Sequence, residues 1–118
     1  MSRRFQKVSR KIESEAAGPL LSGLGFAARA GRLRVGMDAV AQSLSCGEAA
    51  VVVVAGDAPE KVRRKLERLL ADAAPPKVVV LDGERLGRAV GRERVIVMAI
   101  TDNALGERVV ELAEAVEG

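Results

Sequence analysis

The sequence predicts one α/β domain in which helices cover both faces of a sheet. Two observations carry that reading. Three short runs, Ala49 to Ala55, Lys77 to Leu81 and Val95 to Ile100, are rich in valine or isoleucine. They lack the alternation of a half-exposed strand, which is the pattern of strands covered on both faces. Helical apolar spacing lies before, between and after these runs, and such alternation builds a layered α/β fold. Right-handed crossovers between successive strands then predict that most strand pairs are parallel. The 118 residues suit one domain. At this size folding buries roughly two-thirds of the unfolded surface, so no staple is required. With 48% hydrophobic and 30% charged residues a core can form, and the composition argues against long disorder.

The elements follow in order. Residues 1–17 form a basic N-terminal arm, with Arg3, Arg4, Lys7, Arg10 and Lys11 near its start; residues 18–118 form the domain. Gly18 to Ala30 reads as a helix with Leu20, Leu21, Leu24 and Ala28 on one face. Leu33 to Val35 is a short extended segment. Gly36 opens a second helix, Met37 to Ser45, whose stripe is Met37, Val40, Ala41 and Leu44. After the first valine run comes Pro59 to Ala71, with Val62, Leu66, Leu69 and Leu70 inward. Asp57 is placed to cap that helix, and Pro59 suits its first turn. Pro75-Pro76 is a stiff turn into the next strand. A short helical turn, Glu84 to Val90, precedes the third run. Ala104 to Val116 closes the chain as a helix with Leu105, Val109, Leu112 and Val116 inward.

Composition removes several functions. There is no histidine and one cysteine, Cys46. A Ser-His-Asp triad, a Cys-His dyad, a zinc site and an internal disulfide are therefore excluded. No cofactor or metal is expected, and no constellation of acids is singled out by spacing. Cys46, beside Gly47 at a helix end, reads as a small buried hydrophobe. The longest apolar runs fall far short of the ~18 residues of a membrane span. The basic start is followed by Ile12-Glu13-Ser14-Glu15 and lacks the apolar stretch of a signal peptide. A lone thiol fits a reducing compartment, so a cytoplasmic protein is expected.

Charge is uneven. Residues 1–68 hold 13 Lys and Arg against 7 Asp and Glu, a net of +6; residues 69–118 hold 6 against 9, a net of −3. Of the 19 basic residues 14 are arginine, whose fork matches phosphate and guanine edges. A GC-rich genome also inflates arginine, so composition alone does not decide. Gly23-Leu-Gly25-Phe-Ala-Ala28 has the letters of a dinucleotide fingerprint but follows no strand; its glycines read as allowing close helix packing. The stretch Arg29-Ala-Gly31-Arg32-Leu33-Arg34-Val35-Gly36-Met37-Asp38 is more informative. A helix start has unpaired N–H groups and a dipole that favours anions. Glycine there lets a phosphate backbone approach. Asp38 and Gln42, one turn apart, can meet base edges. The competing reading is an ordinary helix start beside solvated arginines. A second candidate is Gly87-Arg88-Ala-Val-Gly91-Arg92-Glu93-Arg94, otherwise a polar turn entering a strand. Lys61, Arg63, Arg64, Lys65 and Arg68, interspersed with Glu60 and Glu67, read as a solvated outer face. Aromatics are 2%, so base stacking on a platform of rings is not expected.

These residues also form a familiar series. Leu24-Gly25-Phe26-Ala27-Ala28-Arg29-Ala30-Gly31-Arg32-Leu33 leads to Gly36 at a helix start. Val51 to Ala55 runs into Gly56-Asp57-Ala58, followed by Leu86-Gly87-Arg88-Ala89-Val90-Gly91 and Val97-Met98-Ala99-Ile100-Thr101-Asp102. The series resembles the kink-turn-binding ribosomal protein superfamily of archaeal L7Ae and its relatives, nearest its bacterial YlxQ-like branch. The resemblance spans about residues 18–115. It implies a three-layer α/β/α sandwich on a mixed, mostly four-stranded sheet, and RNA binding without catalysis. It places a bent RNA against the helix start at Gly36 and the loop from Gly91 to Val95. The partner it implies is structured RNA, such as ribosomal RNA or the ribosome, bound by a monomer. The family usually has Thr-Asn-Glu after the glycine and a basic residue three positions later. Met37, Asp38, Ala39 and Gln42 stand there instead. The expected RNA-binding residues are Arg32, Arg34, Gly36, Met37, Asp38, Gln42, Arg88, Arg92, Glu93 and Arg94. The alternative is a protein-interaction module on the same fold with an eroded RNA site.

Overall fold

The computed structural model describes residues 14–72, 77–81 and 83–117. The arm expected over residues 1–17 lies outside them up to position 13, as does the Pro75-Pro76 turn. Among the described residues nine elements follow in order: α1 (Ser14–Arg29), β1 (Leu33–Val35), α2 (Met37–Ser45), β2 (Val51–Ala55), α3 (Glu60–Asp72), β3 (Lys77–Leu81), α4 (Gly83–Ala89), β4 (Val97–Ile100) and α5 (Asn103–Glu117). Helix α1 therefore starts four residues ahead of the expected domain boundary.

The fold is mixed α/β. Its four strands lie in the order β1-β4-β2-β3. β2 and β3 are parallel, with Val51 opposite Lys77 and Ala55 opposite Leu81. β4 runs antiparallel to both β1 and β2. The expectation of mostly parallel pairs is thus wrong, and the reason lies in the connection from β3 to β4. β3 ends at Leu81 beside Ala55. The Gly83 carbonyl accepts the Val95 N–H at 3.1 Å, and the Ile96 carbonyl accepts the Ala55 N–H at 2.7 Å. Helix α4 and its following loop stay at one end of the sheet and never cross it. β4 must then run back the way β3 came.

Every side chain of β2 and β4 is buried. Successive strand residues point to opposite faces, so both faces of the sheet centre are covered. Helix α1 packs with α4 and α5, and α2 packs with α3 and β4. Leu20, Leu24, Val40, Leu66, Leu70, Leu86 and Met98 are among the core side chains. Gly25 lies against α4, where an added Cβ would sit 3.0 Å from the Ala89 carbonyl oxygen. This is the close packing that the α1 glycines predict.

Two local expectations are corrected. Cys46 is exposed rather than buried. It sits at the C-cap of α2, where the Gly47 N–H bonds to the Leu44 carbonyl and the Glu48 N–H to the Ser43 carbonyl. That paired closure turns the chain outward at the helix end. Asp57 does not cap α3. The helix opens with the Val62 and Arg63 N–H groups donating to the Pro59 carbonyl at 3.0 and 3.1 Å. Asp102, by contrast, caps α5, accepting the Leu105 N–H at 2.9 Å.

Candidate nucleic-acid interface

The site begins at the edge strand β1, which leads straight into α2. Gly36 makes the junction with φ 99° and ψ 157°, a backbone geometry open to glycine and closed to most side chains. Its N–H donates to the Val97 carbonyl at 3.0 Å, and its carbonyl accepts the Val40 N–H at 3.0 Å. The glycine's own amide is therefore used inside the protein. No side chain caps α2. Helix geometry leaves the N–H groups of Met37, Asp38 and Ala39 without an intrahelical acceptor.

The second wall is the loop between α4 and β4. The Gly87 carbonyl accepts the Val90 and Arg92 N–H groups at 3.1 and 2.7 Å. The backbone of Glu93 and Arg94 then lies directly on Gly87. A Cβ there would sit 2.6 Å from the Arg94 nitrogen and 2.7 Å from its Cα. The Arg94 guanidinium donates to the Asp57 carboxylate, and both side chains are about half exposed. The other Asp57 oxygen accepts the Gly83 N–H at 3.4 Å. Burial, the largest single influence, pushes the Asp57 carboxyl up. The Arg94 hydrogen bond, backbone hydrogen bonds and the guanidinium charge outweigh this and hold it below the usual carboxylate value. Arg94 thus fastens the loop to the end of β2, and much of its charge is already answered.

Between the two walls lies an open cleft of about 350 Å³. It is lined by Val35, Gly36 and Met37 from the first segment, and by Arg92, Arg94, Val95, Ile96 and Val97 from the second. Val62 of α3 closes the remaining side. The walls are aliphatic, with an uncapped helix start at one rim and Arg92 at the other. Among the described residues Arg92 has no ion-pair partner. Such a cleft can hold a flat apolar body and an anion beside it.

Of the ten residues expected from the sequence, Gly36, Met37, Arg92 and Arg94 come together here. Asp38 and Gln42 stand exposed on α2, just beyond the rim. Arg34 does not belong to this cleft. Strand alternation turns it to the opposite face from Val35, and its guanidinium donates to the Gly31 and Leu33 carbonyls at 3.4 and 3.3 Å. Arg32 is exposed in the turn before β1, its carbonyl accepting the Thr101 N–H at 2.9 Å. Arg88 is exposed at the end of α4, and Glu93 is exposed on the loop. Sequence reasoning missed Val62, Ile96 and Val97, while Val35 and Val95 lay within the segments it singled out but not among the ten expected residues. All lie in apolar stretches and read as core or strand. The position of Val62 at the start of the α3 apolar stripe was the available signal.

The sequence profile of the ribosomal protein L7Ae/L30e/S12e/Gadd45 family matches residues 20–109. The chain belongs to that family. The matched span contains both L7Ae-family segments that wall the cleft. No curated protein matches the chain. Solved structures that share the fold include the following two. A protein with unknown function from Bacillus halodurans C is 29% identical, with a TM-score of 0.75 over 80% of this chain and 96% of its own. The Giardia lamblia 15.5kD RNA binding protein is 26% identical, with a TM-score of 0.71 over 99% of this chain and 98% of its own.

Proposed function

We propose that the chain is a small RNA-binding protein that holds structured RNA and catalyses nothing. The observation that carries this reading is the cleft, where an uncapped helix start faces Arg92 across aliphatic walls. The N–H groups of Met37, Asp38 and Ala39 suit phosphate or base acceptors. Val35, Met37, Val62 and Ile96 suit the face of an unstacked base in a protein poor in aromatic rings. Asp38 and Gln42 reach base edges, and Arg92 reaches phosphate. Arg32, Arg34, Arg88 and the Glu93–Arg94 backbone act around the periphery, with Arg94 holding the loop in place. Family membership and the likeness to the Giardia RNA-binding protein support the reading. It extends to a three-layer α/β/α scaffold over residues 18–118, a place in the YlxQ-like branch, a monomer in the cytoplasm and ribosomal RNA as partner. Metal and cofactor play no part in it. Gel-shift titration against a kink-turn RNA and a straight duplex tests it. Preference for the bent RNA is expected, with affinity falling steeply as salt rises. No shift of either RNA at micromolar protein and low salt overturns it.

A second reading draws on the apolar walls and the Asp57 partner of Arg94, which leave the cleft less cationic than the arginine count implies. It is a protein-interaction module on the same fold. A partner captured from lysate that survives nuclease treatment favours it.

A further inference from the structure

Helix α3 carries five basic residues, and the fold sorts them. At about 100° per residue, the side chains can be placed around the helix from Val62, which faces the cleft. Lys65, Lys61 and Arg68 lie about 60°, 100° and 120° to one side. Leu66 and Leu70, the buried pair, lie on the other side. Glu60 and Glu67 fall about 140° to 160° away, toward the back, and Arg63 lies about 100° from Val62 on the far side of the buried pair. Lys61, Lys65 and Arg68 thus form one exposed stripe along the flank that borders the cleft. Glu60 holds Arg64 at 2.9 Å. Among the described residues, Lys61, Lys65 and Arg68 have no ion-pair partner. Asp72 ends the same flank one turn past Arg68, so the basic stripe covers the first part of the helix, about 10 Å long.

An unanswered cationic ridge on the helix that supplies Val62 to the cleft has a partner defined by its charge. We infer that Lys61, Lys65 and Arg68 bind the phosphate backbone of a duplex stem that leaves the cleft along α3. The inference rests on the RNA reading of the cleft and adds where the RNA goes next. The stripe reads charge and not sequence, because the deep, narrow major groove of an RNA duplex keeps side chains from the base edges while its phosphates stay within reach. A segment of acidic protein is the other occupant that this chemistry would admit. Segregation on the cleft side, with the glutamates turned away, favours continuity with whatever the cleft holds.

The experiment uses the full chain and two kink-turn RNAs, one with minimal stems and one with a stem longer by a full helical turn. The triple variant Lys61→Ala, Lys65→Ala, Arg68→Ala is compared with the native chain and with Arg63→Ala. The native protein is expected to bind the long-stem RNA more tightly and with a steeper salt dependence. The triple variant should lose that advantage, its log–log salt slope on the long stem falling by about 2–3 units, one phosphate per side chain. Its affinity for the short-stem RNA, and the behaviour of Arg63→Ala, should stay unchanged. Equal loss on both RNAs, or no loss on either, overturns the stripe while leaving the cleft reading standing. Absence of binding by the native chain to either RNA overturns both. Matching melting temperatures of all variants establish that folding is not what is being read.

Discussion

Two aliphatic regions of this molecule use the same side chains to different ends. At the sheet centre, Val52, Val53, Met98 and Ala99 are fully buried. Strands β2 and β4 have a hydrogen-bonded neighbour on each side and helices over each face. At the sheet edge, Val35, Val62 and Ile96 are only half-buried. β1 is three residues long and, among the described residues, no strand lies beyond it. The centre is finished by the protein itself and stabilises the fold. The edge is left unfinished, and its remaining apolar surface is what a ligand can complete. Incomplete burial at an edge, beside an uncapped helix, is what sets the proposed site apart from the core.

The comparison can be broken first at the centre. Met98→Ala removes a fully buried side chain, and a loss of about 2–5 kcal/mol is expected from transfer and cavity effects together. Urea titration would show a lower midpoint at unchanged slope, with RNA affinity of the folded protein preserved. At the border between the regions, Gly87→Ala should act on both properties. Its methyl group would meet the Glu93–Arg94 backbone, so a loss of about 1–3 kcal/mol is expected as the loop is pushed aside. RNA affinity should fall further than stability alone explains, which a gel shift at a temperature well below unfolding would show. An unaffected affinity would separate the loop from the site.

The smallest effect lies in the exposed Asp57–Arg94 pair, worth about 0.2–1 kcal/mol. Because folding lowers the Asp57 pKa, its contribution is fully present above the unfolded value of 3.8 and fades as pH falls through the folded value below it. Asp57→Asn should therefore lower the urea midpoint at neutral pH. The gap from the native protein should close as the pH drops below about 3.8. A gap that stays constant would assign the effect to the Gly83 contact or to packing instead.

Local features were legible in proportion to how local their cause is. β1 and α2 have the bounds that the sequence predicts, because Gly36 and Gly47 punctuate them within a few residues. The amphipathic stripe of α3 likewise placed Leu66 and Leu70 inward. Asp57 was misread because its nearest helix is an obvious partner in sequence, while Arg94 lies 37 residues away. Arg34 is near Gly36 and Met37 in the chain, but strand alternation turns it to the face opposite Val35, outside the cleft lining and at its periphery. Cys46 was misread because a helix stripe does not reveal where the chain leaves the helix.

The sequence by itself determined the element order, the doubly covered strands and the absence of histidine chemistry, since these depend on composition and on spacings of two to four residues. It also located the two segments that wall the cleft. Only the tertiary structure decided that β4 runs back between β1 and β2, that Val62 closes the cleft, and that Arg94 is held by Asp57. Those outcomes depend on which distant groups share a space, and that is set by the path of the β3–β4 connection at one end of the sheet.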